Sequence, residues 1–194
     1  MSGQPRPAFA DDLGQALAEA ERRLTRAVAD RRSPWRTLQL ASIAADGAPD
    51  VRTLVLRAVD PGARRLRLHT DRRSAKVSEL SADPRVMLHG YDPGAKLQLR
   101  LAGKAEVVTG EGARAAWLGS TPQARACYAI APAPGTAVEA PSPAPEMDET
   151  AEANFAVVMV RYHSLDWLWL CAEGHRRARF DWSSGTLEAR WLVP

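Results

Sequence analysis

Residues 37–60, TLQLASIAADGAPDVRTLVLRAVD, contain two apolar runs separated by a turn. The runs cover residues 37–43 and 51–59, and both are rich in side chains that favour strands. Between them lie Asp46-Gly47 and Pro49, where glycine tolerates a positive φ and proline fixes φ. Because the connection is short, the pair is predicted to form an antiparallel hairpin.

The same alternation of strand-like runs and turn residues continues on both sides of this hairpin. Asp60-Pro61-Gly62 and Asp92-Pro93-Gly94 are further breaks. We expect strands at residues 66–70, 86–91, 96–109, 155–162, 167–171, 176–182 and 187–192. Apolar residues at steps of three and four predict an amphipathic helix over residues 9–30, and shorter helices are expected at 74–81 and 111–118. A proline-rich loop is predicted over residues 131–148.

These elements predict a mainly β protein, an antiparallel β-barrel of about six to eight strands with flanking helices. The chain has 194 residues, 45% of them hydrophobic, so we expect one domain over residues 1–194. Helical segments are too few for a doubly wound parallel sheet.

Charge and cysteine content limit the possible functions. The net charge is +3, and the basic residues are 23 arginines and three lysines dispersed among acidic residues, so no nucleic-acid partner is predicted. The two cysteines, Cys127 and Cys171, have neither disulfide-framework nor zinc spacing, and no metal site is expected. The N-terminal residues lack a signal-peptide pattern and no run is long enough to span a membrane, which favours the cytoplasm.

Two runs carry the clearest binding potential. In Arg52-Thr53-Leu54-Val55-Leu56-Arg57, strand alternation places the two arginines on opposite faces, and each needs either a carboxylate or an anionic ligand. His69-Thr70-Asp71-Arg72-Arg73-Ser74-Ala75-Lys76 joins a strand end to a helix start, a junction at which backbone N–H groups, Ser74 and Lys76 favour an anion. Taken singly, the strand arginines also fit structural salt bridges, and the run from His69 to Lys76 also fits an ordinary helix N-cap.

Two later runs add polar and aromatic groups. Gln98 lies on the polar side of the alternating run Leu97 to Ala102, where it can bind a heterocycle edge or simply face solvent. Trp169 precedes the cluster His175-Arg176-Arg177-Ala178-Arg179-Phe180. Alone, Trp169 is more typical of a core.

Together and in this order, the four runs resemble the pyridoxamine 5′-phosphate oxidase family of FMN-binding split barrels. The resemblance covers about residues 35–109 and 155–194. Arg52 to Arg57 is similar to the family's R-x-V-L-L-K strand, Ser74-Ala75-Lys76 to its S-R-K motif, and Gln98 with Gly103 to Glu106 to its R-Q-V-x-x-x-G-x-A-E strand. Trp169 and Arg179-Phe180 have the family's ten-residue separation.

The resemblance implies an FMN cofactor and a homodimer with the cofactor at the interface. Arg52, Ser74 and Lys76 would bind the phosphate, and the backbone of Thr53, Leu54 and Val55 with Thr70 would face the ring. His69 occupies the position of a cofactor-binding tyrosine. Gln98, Trp169 and Arg179 would come from the partner subunit.

Departures from the family pattern concern the substrate. Arg57 replaces a lysine, and the positions that bind substrate phosphate in the family correspond to Trp117, Thr121 and Arg125. Arg57, Trp117 and Arg125 are therefore the substrate-side candidates. We expect an FMN-dependent oxidoreductase acting on a small molecule that the sequence does not identify.

The sequence leaves several points open. It names no general base, no electron acceptor and no role for the proline-rich loop, and a related deazaflavin is an alternative to FMN. A second interpretation is a flavin- or haem-binding barrel without turnover, serving as a storage or sensor protein.

Overall fold

The computed structural model describes residues 6–146, 148 and 150–194. Within these residues the strands are β1 (Thr37–Ile43), β2 (Pro49–Asp60), β3 (Arg65–Asp71), β4 (Arg85–Asp92), β5 (Leu97–Val108), β6 (Phe155–Trp169), β7 (Arg176–Asp181) and β8 (Glu188–Leu192). The helices are α1 (Leu13–Ala27), α2 (Ala75–Ala82), α3 (Glu111–Leu118), α4 (Pro122–Ala126) and α5 (Thr150–Asn154). Single 3₁₀ turns lie at Ala8–Ala10 and Pro34–Arg36.

The strands form one antiparallel sheet in the order β3-β2-β1-β4-β5-β6-β7-β8. β3 also pairs with β6, so the first six strands in that order close into a barrel, and β7 and β8 extend the sheet beyond it. This confirms the predicted mainly β, antiparallel barrel. The 37–60 hairpin forms as expected, with Thr37 opposite Val55 and Ile43 opposite Pro49.

The barrel interior is filled by alternate residues of the strands, which is why the sequence shows a period of two. Leu38 and Leu40 of β1 are fully buried, as are leucines of the other barrel strands. Helix α1 packs on this core through Ala16, Ala20 and Leu24. Asp12 caps α1 by accepting a hydrogen bond from the Gln15 N–H at 2.8 Å.

The barrel is split between β2 and β3. Residues 49–55 of β2 pair with β1, whereas pairing with β3 begins only at Leu56 and Leu68, next to a bulge between Leu56 and Ala58. The end of β3, including His69 and Thr70, pairs with β6 instead. One backbone edge of residues 52–55 therefore has no strand neighbour among the described residues, and it borders the end of β3.

Three details differ from the sequence expectations. β6 is one continuous strand through residues 163–166, where two strands were expected. The helix expected over 9–30 is confined to Leu13–Ala27, and α4 and α5 were not expected.

The described part of the 131–148 loop, residues 131–146 and 148, contains neither helix nor strand, and residue 147 lies outside the described residues. Residues 1–5 of the expected domain lie outside them too.

A close approach of two strands fixes Gly103. It lies at the β5–β6 bulge, where an added Cβ would meet the Arg161 carbonyl oxygen and approach the Tyr162 Cα to 2.8 Å. Only glycine fits without moving backbone. No helix in the described part of the chain is long and apolar enough to cross a membrane.

Candidate cofactor-binding site

A compact polar cluster lies where β3 passes into α2, beside the split. The Lys76 ammonium donates to the Thr70 hydroxyl at 3.1 Å, and the Thr70 and Ser74 hydroxyls are 3.4 Å apart. Ser74 donates to the Asp71 carbonyl at 2.6 Å and precedes the first residue of α2. Burial lowers the pKa of Lys76, and the positive charge of Arg52 lowers it further. Residues 70, 74 and 76 thus lie together, with Arg52 close enough to affect Lys76. The sequence analysis grouped Arg52, Ser74 and Lys76 at the phosphate and assigned Thr70 to the flavin ring.

Arg52 is held by a second set of contacts that the sequence did not reveal. Its guanidinium pairs with Glu79 at 2.7 Å, pairs with Asp50 and donates to the Ser42 hydroxyl. The Ser42 hydroxyl also donates to Glu79 at 2.6 Å. Glu79 is only 8% exposed, so Arg52 neutralises a buried carboxylate. In the sequence, Glu79 follows Lys76 by one turn of the predicted helix. This spacing was the signal that could have indicated Glu79 as a residue of the site.

His69 and Arg57 point to the outer surface of the barrel, away from this cluster. They line a cavity of about 290 Å³ together with Arg36 and Arg67. The His69 ring packs edge-to-face on Phe155, with centroids 4.9 Å apart. Burial lowers the pKa of His69 to about 4, and the charges of Arg57 and Arg67 act in the same direction. His69 is therefore neutral at physiological pH.

Gln98 lies on the outer face of β5 and joins a short hydrogen-bonded row. One His89 ring nitrogen is 3.3 Å from the Gln98 amide oxygen, and the other is 3.1 Å from that of Gln39. Strand pairing places Gln98 opposite Leu168 and Leu168 opposite Arg177, on the face that also carries Arg179.

Trp169 and Arg179 do not share a face. In the β6–β7 hairpin Trp169 pairs with Arg176, and Arg179 pairs with Asp166. Trp169 packs on the core and edge-on against Phe9 at 5.9 Å, whereas Arg179 lies beside Asp181 at 3.2 Å. The sequence analysis assigned both side chains to one flavin, and in this structure they lie on opposite faces of the hairpin. Leu168, which the sequence did not single out, lies on the face of Gln98 and Arg179.

Of the substrate-side candidates, Arg57 lines the cavity beside His69, whereas Trp117 and Arg125 are not among its lining residues. Trp117 is 5% exposed and packs against Phe155 and Tyr128. The Arg125 guanidinium stacks over Trp117 at 5.3 Å, and its Nε donates to the Trp117 carbonyl at 2.9 Å. Both are thus engaged in a small core beside α3, although other residues of α3 line the Arg57 cavity.

Residues 18–109 match the family model of the pyridoxamine 5′-phosphate oxidase FMN-binding domain. The match includes β1 to β5, the split and the Arg52–Thr70–Ser74–Lys76 cluster. This confirms the resemblance stated from the motifs, and it confirms FMN as the cofactor of the matched domain.

Curated relatives in this family match part of the chain. A pyridoxine/pyridoxamine 5′-phosphate oxidase of Chromobacterium violaceum is 36% identical over 101 residues, 52% of this chain and 46% of that protein. Oxidase 2 of Arabidopsis thaliana is 30% identical over 107 residues, 51% of this chain and 54% of the relative. The chain thus matches about half the length of these oxidases.

Solved structures match over nearly the whole chain. A pyridoxamine 5′-phosphate oxidase-related, FMN-binding protein of Nostoc punctiforme is 25% identical, with a TM-score of 0.73 and full coverage of both chains. PhzG of Burkholderia lata, solved in complex with tetrahydrophenazine-1-carboxylic acid, has a TM-score of 0.75 at 19% identity and 98% coverage of each chain. The second likeness concerns the fold alone.

The residues at the split fit the phosphate and the ring of FMN. An ammonium and two hydroxyls converge at the β3–α2 junction, which suits an oxyanion. Arg52 adds a guanidinium, although two carboxylates already contact it. The unpaired edge of residues 52–55 offers backbone groups to a polar ring edge. Within the described residues, no group of three or more His, Cys, Asp or Glu side chains is arranged to hold a metal ion.

Proposed function

We propose that this chain is an FMN-dependent oxidoreductase of the cytoplasm that acts on a small molecule as a homodimer. The observation that carries the proposal is the meeting of Arg52, Thr70, Ser74 and Lys76 beside the unpaired edge of β2. Bound FMN supplies a two-electron acceptor when oxidised and a donor when reduced.

The protein's own groups would hold the cofactor in two ways. Lys76 and the two hydroxyls would bind the phosphate, and the partly desolvated Lys76 would form a stronger ion pair than an exposed lysine does. The rigid backbone of Thr53, Leu54 and Val55 would orient the ring, because β1 holds the other edge of these residues. Orientation by a strand is more exact than orientation by a loop.

Dimer formation is supported by the outer face of β1, β2, β4 and β5. Val51 is 62% exposed and Tyr91 is 40% exposed, and both point outward on this face. The polar row Gln39–His89–Gln98 lies on the same face. Exposed apolar side chains beside fixed polar groups occur at subunit interfaces. We expect Val51→Asp to shift the protein from dimer to monomer in sedimentation velocity.

Spectroscopy tests the proposal directly. We expect the purified protein to show the two-band absorption of oxidised flavin, and heat to release FMN into the supernatant. Under anaerobic conditions, bleaching by pyridoxamine phosphate or by a reduced nicotinamide would identify a reductant and support an enzyme. FMN that no donor bleaches would favour a flavin-binding storage or sensor protein. A colourless protein that fails to bind added FMN would overturn the proposal.

A further inference from the structure

A second cationic surface lies on the outer face of the barrel, away from the candidate cofactor site. It is a pocket of about 310 Å³ on β3, β5 and β6, which we call the outer pocket, and it is lined by Arg65, Lys104, Ala105, Glu106, Met159 and Arg161. It shares no lining residue with the Arg57 cavity. Arg65 lies five residues before Thr70 on β3, roughly 17 Å along the strand, and points to the opposite face. The outer pocket is therefore separate from the Thr70–Ser74–Lys76 cluster.

Strand pairing places the three cations of the outer pocket in one row. Arg65 is directly opposite Arg161, and Arg161 is directly opposite Lys104. Directly opposite residues share a face of the sheet, with Cβ atoms about 4.5–5.5 Å apart. All three side chains are exposed. Like charges that face each other across strands destabilise a sheet, so this row is unfavourable unless an anion joins it.

The acidic side chains of the chain do not neutralise the row. Among the described residues, Arg65, Lys104 and Arg161 form neither an ion pair nor a side-chain hydrogen bond. Glu106 lines the same pocket but lies beyond ion-pair distance of all three. By contrast, Arg114 on α3 is also exposed and pairs with Glu152 at 3.1 Å. The outer pocket thus combines three unpaired cations with one carboxylate.

Acidic residues border the row at both ends and limit the length of an anion that fits. Asp60 on β2 is opposite Arg65, and its carboxylate accepts a hydrogen bond from a turn N–H at 2.9 Å instead. At the other end, Arg85 on β4 is opposite Lys104, and its guanidinium pairs with Asp83. The three strands between these ends span about 10 Å, which is two strand spacings. A long polyanion would meet the carboxylates, whereas a short one would not.

We propose that the outer pocket binds the oligophosphate chain of a small molecule, a diphosphate or a triphosphate. Consecutive phosphate groups present several negative charges within the length of the row. The guanidinium groups of Arg65 and Arg161 can each bind two phosphate oxygens in parallel, and the Lys104 ammonium adds a point charge. The inference goes beyond the proposed redox function and does not depend on it, because no residue of the outer pocket belongs to the candidate cofactor site.

Titration of the FMN-loaded protein with inorganic phosphate, pyrophosphate and triphosphate tests the proposal. Excess FMN keeps the cofactor's own phosphate site filled, and the ionic strength is held constant. Calorimetry gives the affinities, and the melting temperature is recorded with and without each anion. The test variant is Arg161→Gln, at the middle of the row, and Arg65→Gln is the second. The matched control is Arg190→Gln, since Arg190 is an exposed strand arginine on β8.

We expect triphosphate to bind the unmodified protein at least about tenfold more tightly than phosphate, because it contacts more of the row. Arg161→Gln should weaken triphosphate binding at least about tenfold, a change of about 1.4 kcal/mol, and Arg65→Gln should act in the same direction. Arg190→Gln should leave the affinity within about twofold. Without anion, Arg161→Gln should melt no lower than the unmodified protein, because it removes the central repelling charge. Triphosphate should raise the melting temperature of the unmodified protein more than that of this variant.

Equal triphosphate binding by Arg161→Gln and the unmodified protein would overturn the proposal, as would equal losses in Arg161→Gln and Arg190→Gln. Failure of triphosphate to bind below about 1 mM would overturn it as well. Single-stranded oligothymidylate that binds more tightly than triphosphate, and does so through Arg161, would assign the row to nucleic acid instead. If the protein holds no FMN, triphosphate binding that depends on Arg161 would uphold the outer pocket while the proposed redox function fails.

Discussion

Replacing Lys76 with methionine separates cofactor binding from folding. The Lys76 ammonium contacts a hydroxyl, that of Thr70, at 3.1 Å and forms no ion pair among the described residues. Its removal therefore leaves no carboxylate stranded. Burial and the charge of Arg52 both lower the pKa of Lys76, so the charged form is disfavoured in the folded state. Lys76→Met should keep or raise the melting temperature.

The expected loss of FMN affinity follows from the bond that is removed. A hydrogen bond to a charged group contributes about 1.5–3 kcal/mol. The Lys76 site is partly desolvated, which favours the upper part of that range. At about 1.4 kcal/mol for each factor of ten, FMN should bind roughly 10- to 100-fold more weakly.

Quenching of FMN fluorescence on titration with cofactor-free protein measures this affinity. Lys104→Met is the matched control, since Lys104 is an exposed lysine on β5 outside the site. An affinity within about threefold of the unmodified protein for Lys76→Met would refute the phosphate assignment. A similar loss in Lys104→Met would show that only the overall charge matters.

Other predictions concern stability and the buried charges. Arg52→Ala should weaken FMN binding and destabilise the fold by about 3 kcal/mol in urea unfolding, because Glu79 loses its partner; adding Glu79→Gln should restore part of the stability but not the affinity. His69 has a pKa of about 4 when folded and 6.5 when unfolded, so its contribution is complete above pH 6.5 and is lost towards pH 4. Unfolding free energy should fall by about 2 kcal/mol at pH 5 through this group, and His69→Gln should remove that component. Gly103→Ala should cost more than about 2 kcal/mol, whereas Gly62→Ala, with ordinary contact distances, should be nearly neutral by thermal melting.

The sequence predicted the elements that depend on local chemistry. The 37–60 hairpin and α3 follow from turn residues and short-range periodicity, and the structure places them at almost the same bounds. The continuity of β6 was not predicted, and the residues between the two expected strands include the polar Ser164 and Asp166. Both are buried, and Arg179 and Arg177 on β7 contact them. The polar partners of Ser164 and Asp166 thus come from another strand, and the sequence around β6 does not indicate them.

In the candidate site, too, contacts between residues close in sequence could be predicted, and contacts that depend on strand pairing could not. The convergence of Thr70, Ser74 and Lys76 lies within seven residues of chain and could be predicted from their order. The relative orientation of Trp169 and Arg179 depends on the hairpin register, in which odd-numbered residues of β6 pair with even-numbered residues of β7. A ten-residue separation therefore puts them on opposite faces. The Arg67 and Arg36 contributions to one cavity likewise required the three-dimensional arrangement.

The closure of the barrel through β3 and β6 has a consequence for the order of folding. β1 to β5 pair mainly with near neighbours in sequence and can associate early during synthesis. β3 must wait for β6, because Asp71 pairs with Phe155 and Arg65 with Arg161. Until β6 leaves the ribosome, the nascent chain exposes the free edge of β3 and its apolar inner face. Barrel closure is thus expected to be the slow step, and an interrupted chain would be prone to aggregation.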